Sequence, residues 1–308
     1  MEQLAGKKIL VTGVTGWVGG PIAADLAATN EVYGAARFAD AAQREPLEAA
    51  GVHTISVDLG AGRLDEVPAD LDYVLHFAVA KVPKWADAFA ANAYGSAQLL
   101  YTAAERSSKL QAFLHCSSTA VYLPTNHDPI PEDGPLGDSH SAMGLPTYSI
   151  SKIAGEVLIT DAARRTGIPT VIGRLSVPYG DGYGWMSFHL MMMEHGMKVP
   201  VHVDAPSSYA PIHHVDILAS VPYLLAEAST DVPAFNWGGE QIVSVEEWCA
   251  QIGELTGLTP EFEPTTATVP AVVPDMTKLW ATGFRPTVSF AEGLRRQLQT
   301  MRPDLLKA

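Results

Sequence analysis

The chain has 308 residues and a formal net charge of −14, from 20 Lys plus Arg against 34 Asp plus Glu. That acidic balance excludes a nucleic-acid binder or a membrane-surface protein, each of which needs a basic face. With 47% hydrophobic and 18% charged residues, global disorder is excluded as well, and the length suits a large α/β domain joined to a small one.

Short β-branched runs alternate with Ala-rich amphipathic stretches from the start. The pattern predicts strands at 8–12, 31–36, 53–57, 73–77, 111–116 and 170–175, and helices at 17–28, 41–50, 85–107 and 148–166. The strands are continuous apolar runs, as expected of strands buried on both faces, and strand–helix alternation with short links implies right-handed crossovers. The expected fold class is therefore α/β, a doubly wound parallel sheet (Rossmann) with a smaller, discontinuous α+β substrate domain. After Leu175 the rhythm breaks. A Met-rich helix around 188–195, a strand-to-helix passage at 212–227 that rejoins the sheet, helices at 246–256 and 290–300, and an irregular Pro-rich stretch at 260–274 follow. The boundaries expected are 1–175 plus about 211–239 for the dinucleotide-binding domain, and about 176–210 plus 240–308 for the substrate domain. Cys116 and Cys249 are too few for a disulfide framework and read as reduced, buried thiols of a cytoplasmic protein. No signal segment precedes the strand at Lys8, and no run nears the roughly 18 apolar residues that span a bilayer, so no membrane partner is expected.

The first strand runs into Thr12-Gly13-Val14-Thr15-Gly16-Trp17-Val18-Gly19 and then a helix. Gly13 permits the tight turn, Gly16 lets backbone approach a pyrophosphate, and Gly19 allows close helix–strand packing, with free N–H groups and the positive dipole end of the helix facing the anion. Gly13, Thr15, Gly16, Trp17, Val18 and Gly19 are thus candidate dinucleotide contacts. The Gly-x-x-Gly-x-x-Gly spacing resembles that of the short-chain dehydrogenase/reductase superfamily. A carboxylate at the end of the second strand would select NAD; here Ala36 is followed by Arg37, whose guanidinium can pair with a 2′-phosphate, so NADP is the expected cofactor, with NADPH preferred over NADH.

Tyr148 and Lys152 stand four apart at a helix start, on one face. An ammonium beside a phenol favours phenolate, so the Tyr148 pKa is expected to fall toward neutral. Upstream, His115-Cys116-Ser117-Ser118 ends the fifth strand, where a hydroxyl could hydrogen-bond a substrate carbonyl. With the glycine turn, these residues resemble the extended branch of the superfamily, the NAD-dependent epimerase/dehydratase-like proteins, over nearly the whole length. The resemblance implies a catalytic Ser118, with Ser117 as fallback, alongside Tyr148 and Lys152, both of which also contact the cofactor. It places Asp58 and Leu59 at adenine, Phe77, Ala78, Val79 and Lys81 along the cofactor, Asn92 near the nicotinamide ribose, and Ser176 and Pro178 in the sixth-strand motif. It also implies a homodimer through helices near 85–106 and 148–165.

Departures from the family concern the substrate. The family's sixth-strand Asn falls on Val177, its phosphate-binding Arg near Tyr209, and no arginine occurs between Arg174 and Arg285, so a diphosphate lacks its expected cations. The acid and base of the 4,6-dehydratases fall on Thr119 and Ala120. Pocket segments instead hold Met143, Trp185, Met186, Phe188, Met191, Met192, Met193, Met197 and Tyr209, which suits an uncharged, largely apolar carbonyl compound unless the Met run is simply helix core. His213 and His214 are adjacent, and His189 and His195 lack i,i+4 spacing, so no metal site is expected. The resulting expectation is an NADPH-dependent carbonyl reductase or alcohol dehydrogenase. A redox-neutral sugar or nucleotide-sugar epimerase with tightly bound NAD(P) is the alternative, and a non-catalytic NADP-sensing protein is the remote one.

Overall fold

The computed structural model describes residues 4–307; the ends of the expected domains at 1–3 and 308 lie outside the described residues. In chain order the elements are β1 (Lys8–Thr12), α1 (Gly19–Ala27), β2 (Glu31–Ala36), α2 (Glu45–Ala49), β3 (His53–Ser56), β4 (Tyr73–His76), α3 (Trp85–Phe89), α4 (Gly95–Arg106), β5 (Ala112–Ser118), α5 (Tyr148–Thr166) and β6 (Thr170–Leu175). They continue with β7 (Pro178–Tyr179), α6 (Trp185–Glu194), β8 (Val199–His202), β9 (Ser208–Tyr209), β10 (Ile212–His213), α7 (His214–Ala226), β11 (Ala234–Trp237), β12 (Val243–Ser244), α8 (Val245–Thr256), β13 (Phe262–Thr265), α9 (Thr277–Ala281) and α10 (Phe290–Met301). A seven-stranded sheet runs in the order β11-β6-β5-β4-β1-β2-β3, with parallel registers from β5 through β3. The doubly wound α/β reading is therefore correct.

Two compact units form: 1–121 with 147–174 and 221–235, and 122–146 with 175–220 and 236–308. In the first, β1 and β4 supply Leu10 and Val74, fully buried against Leu99 and Leu100 of α4 and Ile159 of α5. β1, β4, β5 and β6 are buried along most of their length, as expected of strands covered on both faces. β2 has Glu31 exposed with Tyr33 and Ala36 only partly buried, and in β3, at the sheet edge, none of the four residues is buried, so the two-sided burial expected there does not hold. The second unit has its own core around Trp248, Tyr209, Leu190 and Leu294.

Three expectations need correcting. The long helix from Trp85 contains a π-helical turn at Ala90–Tyr94, so α3 and α4 are not one regular rod. The strand that rejoins the main sheet is Ala234–Trp237, four residues too short to show a pattern; Ile212–His213 pairs instead with Pro178–Tyr179. The Pro-rich stretch is not wholly irregular, because Phe262–Thr265 pairs in parallel with Val199–His202, with Pro264 on a two-stranded edge that tolerates a missing donor.

Buried charge appears where α5 faces β6. Arg174 donates through Nε (3.1 Å) and Nη2 (2.8 Å) to the two oxygens of Glu156, and both side chains are under a tenth exposed. Removing one member leaves the other uncompensated in a poorly solvated place. Glu156→Gln should lower the unfolding free energy by about 3–5 kcal/mol, read as a reduced urea midpoint with an unchanged denaturant slope.

Candidate active site

The turn after β1 brings the glycines together as their spacing requires. Gly13 has φ +74°, and a Cβ there would meet the Ala78 nitrogen at 2.7 Å, so the turn lies directly on the backbone leaving β4. A Cβ on Gly19 would meet the Gly13 carbonyl at 2.7 Å, which fixes how closely α1 approaches β1. A Cβ on Gly16 would meet only that same carbonyl, at 3.2 Å, and Gly16 lines an open cavity of about 490 Å³. That volume falls in the usual range for sites that take a whole ligand, roughly 300–1,000 Å³.

Gly13, Thr15, Gly16, Arg37, Asp58 and Leu59 line this cavity, as do Phe77, Ala78, Val79 and Asn92. Trp17, Val18 and Gly19 do not; α1 starts only at Gly19, leaving Trp17 half exposed in the turn. Lys81, Tyr148 and Lys152 lie outside the cavity wall as well. Ser176 and Pro178 belong to the second unit, where the Ser176 hydroxyl is buried and accepts from the Ala210 N–H at 3.3 Å. Ala90 and Ala91 complete the wall unforeseen; they sit on the π-helical turn, whose extra residue no side-chain pattern signals.

The end of β2 carries no carboxylate: Ala36 and Arg37 both line the cavity, and the nearest acid, Asp40, is engaged in capping a 3₁₀ turn through the Ala42 N–H at 2.9 Å. Arg37 is exposed and makes no ion pair or hydrogen bond with the described residues. Both Asp58 carboxylate oxygens are engaged, Oδ2 accepting from Arg63 Nη2 at 2.9 Å and Oδ1 from the Ala61 N–H at 3.1 Å. The glycine turn and the open cavity fit a dinucleotide.

Beside the cavity, α5 is pinned at its first turn. Asn92 accepts from the Ala80 N–H at 2.7 Å, donates to the Ala80 carbonyl at 2.9 Å and donates to Ser151 Oγ at 2.9 Å. Its amide thus holds the segment after β4 against α5, while Asn92 itself lines the cavity. Thr147 Oγ1 donates to the Val82 carbonyl at 2.6 Å. Gly155, with no role in the sequence reading, allows this approach: a Cβ there would lie 2.5 Å from the Asn92 carbonyl.

Tyr148, so positioned, hydrogen-bonds with the Ser118 hydroxyl at the end of β5, and Ser118 Oγ also accepts from the Ala120 N–H at 3.2 Å. One helical turn on, Lys152 is buried and its Nζ donates to the Cys116 carbonyl at 2.7 Å. Burial pulls the Lys152 pKa down, opposed by Cys116 and Glu156. The Tyr148 pKa is raised, not lowered: burial of the phenol dominates, the Ser118 hydrogen bond opposes it, and the Cys116 side chain adds to the rise. The expected fall does not occur because burial of the phenol dominates; the Lys152 ammonium meanwhile hydrogen-bonds the Cys116 carbonyl. Another cation attends the ring: Lys81 Nζ lies 5.6 Å from the Tyr148 centroid. The Cys116 and Cys249 thiols are free, with burial raising their pKa values to about 11 and about 12.

In the second unit, the Met-rich segment divides. Met186 and Met193 are core, whereas Met191 and Met197 are exposed. A cavity of about 240 Å³ is lined by Met143, Trp185, Phe188 and Tyr209 among others. Thr119 and Ala120 are buried in a single 3₁₀ turn. Among the described residues no helix is long and apolar enough to cross a membrane.

A family model described as the NAD dependent epimerase/dehydratase family matches residues 9–204. A trifunctional UDP-glucose 4,6-dehydratase/UDP-4-keto-6-deoxy-D-glucose 3,5-epimerase/UDP-4-keto-L-rhamnose-reductase of Arabidopsis thaliana is 23% identical over 68% of this chain. The chain spans about a third of that relative's length (32%). An uncharacterized UDP-glucose epimerase of Bacillus subtilis is 23% identical over 81% of this chain and 82% of its own. Among solved structures, a mutant UDP-glucuronic acid 4-epimerase from Bacillus cereus in complex with UDP-4-deoxy-4-fluoro-glucuronic acid and NAD superposes with a TM-score of 0.81 at 20% identity, covering 96% of this chain and 99% of that one. A dTDP-glucose 4,6-dehydratase from Streptomyces venezuelae with NAD bound also gives 0.81, at 21% identity over 96% and 97%. At such identities the structural likeness speaks for the fold.

With a phenol pKa above the ordinary 10.0, spectrophotometric titrations of the cofactor-free native chain and of Tyr148→Phe should coincide below about pH 10.

Proposed function

The chain belongs to the NAD dependent epimerase/dehydratase family, and on that premise we propose that it is a nicotinamide-dependent oxidoreductase acting between a secondary alcohol and its ketone. The hydrogen bond between Ser118 and Tyr148 carries this reading, because it pairs an orienting hydroxyl with a proton-carrying phenol at one point. Ser118 orients the substrate oxygen, Tyr148 delivers or removes its proton, and Lys152, held by the Cys116 carbonyl, keeps positive charge one turn from the phenol. The dinucleotide, when bound in the 490 Å³ cavity, supplies and accepts the hydride.

The names of the relatives support the redox-neutral form of this chemistry, a sugar or nucleotide-sugar epimerase that oxidises and re-reduces one substrate. A water-eliminating form is disfavoured, since Thr119 and Ala120 stand where an acid and a base would be needed. Net carbonyl reduction of an uncharged substrate is the second reading. It is favoured by a phenol held in its proton-donating form and by a second-unit cavity with no Lys or Arg in its wall. In either form the unpaired Arg37 favours NADP over NAD.

Tyr148→Phe should cut turnover by about 10²–10⁴-fold while NADPH binding, followed by cofactor fluorescence, persists; retained turnover would remove Tyr148 as the proton carrier. Arg37→Ser should lower the NADPH-over-NADH affinity ratio by about tenfold to a hundredfold, one charge-assisted hydrogen bond's worth. An unchanged ratio would make Arg37 a solvated surface residue.

A further inference from the structure

The second-unit cavity is unusual in what its wall offers. Trp185 and Tyr209 meet edge to face, with centroids 5.3 Å apart at 86°, and Met143, Phe188 and Val245 extend the apolar surface. Phe188 is 47% exposed and Met143 42%, so large apolar side chains face solvent at a concave site.

The polar groups of the wall are in part committed within the protein. The Tyr209 hydroxyl donates to the Val269 carbonyl at 2.8 Å. Ser207 Oγ accepts from the His202 N–H at 2.9 Å. The Trp185 indole N–H, the Thr268 hydroxyl and His189 are the exceptions, and of these only His189 has its free donor fixed by a hydrogen bond on the other side of its ring. The buried Trp248 indole can only donate, and its Nε1 lies 2.8 Å from His189 Nδ1, so Nδ1 is the acceptor and the neutral ring carries its proton on Nε2. Burial lowers the His189 pKa to about 4, which keeps the ring neutral. The Nε2–H has no partner among the described residues. An oriented donor in an apolar cavity calls for an acceptor.

Charge argues the same way. No Lys or Arg lines the cavity, and the Ser207 N–H is bound to the Glu246 carboxylate (3.1 and 3.3 Å), which places a negative charge next to the wall. A phosphate would find repulsion and no cation. At about 240 Å³ the cavity falls below the range for a whole ligand and suits one substituent of a larger molecule.

We propose that this cavity is a binding site for a neutral, ring-sized substituent bearing one hydrogen-bond acceptor, received by His189 Nε2–H, and that phosphorylated groups are not its ligands. As a statement about substrate it rests on the oxidoreductase reading; as a statement about binding it does not.

The test is a ligand-observed NMR titration of the full chain with acetophenone, toluene and uridine diphosphate. Acetophenone should bind about two- to tenfold more tightly than toluene, the worth of one neutral hydrogen bond, and uridine diphosphate should displace neither. His189→Leu should bring the ratio to about one. Because that change orphans the buried Trp248 N–H, Phe188→Asp at the exposed rim is the second variant; it should weaken both aromatic probes at least about fivefold with the fold intact. Displacement by uridine diphosphate, a native ratio of one, or full acetophenone affinity in Phe188→Asp would overturn the proposal. None of these readouts involves turnover, so failure here leaves the Tyr148 assignment standing, and an active Tyr148→Phe would leave this site untouched.

Discussion

Burying charge on one face of α5 is the constraint on which the first unit depends. Tyr148, Lys152 and Glu156 recur every fourth residue, so a phenol, an ammonium and a carboxylate share that face. Each charged member must find a partner away from water. Lys152 takes the Cys116 carbonyl on β5, and Glu156 takes the guanidinium of Arg174 on β6. Satisfying both partners sets the rotation of α5 against the sheet, and that rotation brings the phenol to Ser118. The residues that hold the helix are thus part of what aims the Tyr148 phenol at Ser118.

Close approach without side chains is the second device. Gly13 lies against Ala78, Gly19 against the Gly13 carbonyl, and Gly155 against the Asn92 carbonyl. At each place a methyl group would fall within 2.7 Å of backbone, which cannot withdraw as a flexible side chain can. Asn92 then ties the segment after β4 to α5 through three hydrogen bonds. One wall of the 490 Å³ cavity and the start of α5 are in this way a single hydrogen-bonded piece.

The second unit follows a different logic. Its aromatic residues serve mainly as core, with Trp248 and Tyr209 buried, yet the same cluster opens at Trp185 and Phe188 into a cavity with no cation and few polar groups, among them an oriented imidazole donor. The Ser118, Tyr148 and Lys152 cluster lies in the first unit, while the second unit lines a cavity without cations. On the proposed reading, the chemistry at the reacting carbon and the choice of substrate are separable, since they depend on different side chains.

The sequence by itself determined the local patterns. Apolar runs of strand length, glycines at a turn, a Tyr and a Lys one helical turn apart and an Arg where an acid would select NAD all act through near neighbours, so spacing reveals them. Partnerships between distant residues were settled only by the tertiary structure. Lys152 turning to a carbonyl 36 positions away, the raised rather than lowered Tyr148 pKa, Asn92 spent on Ala80 and Ser151, and the four-residue strand at 234–237 closing the sheet are of this kind. Desolvation decides them: a group's acidity and its hydrogen-bond partner depend on what excludes water around it, and no spacing along the chain records that.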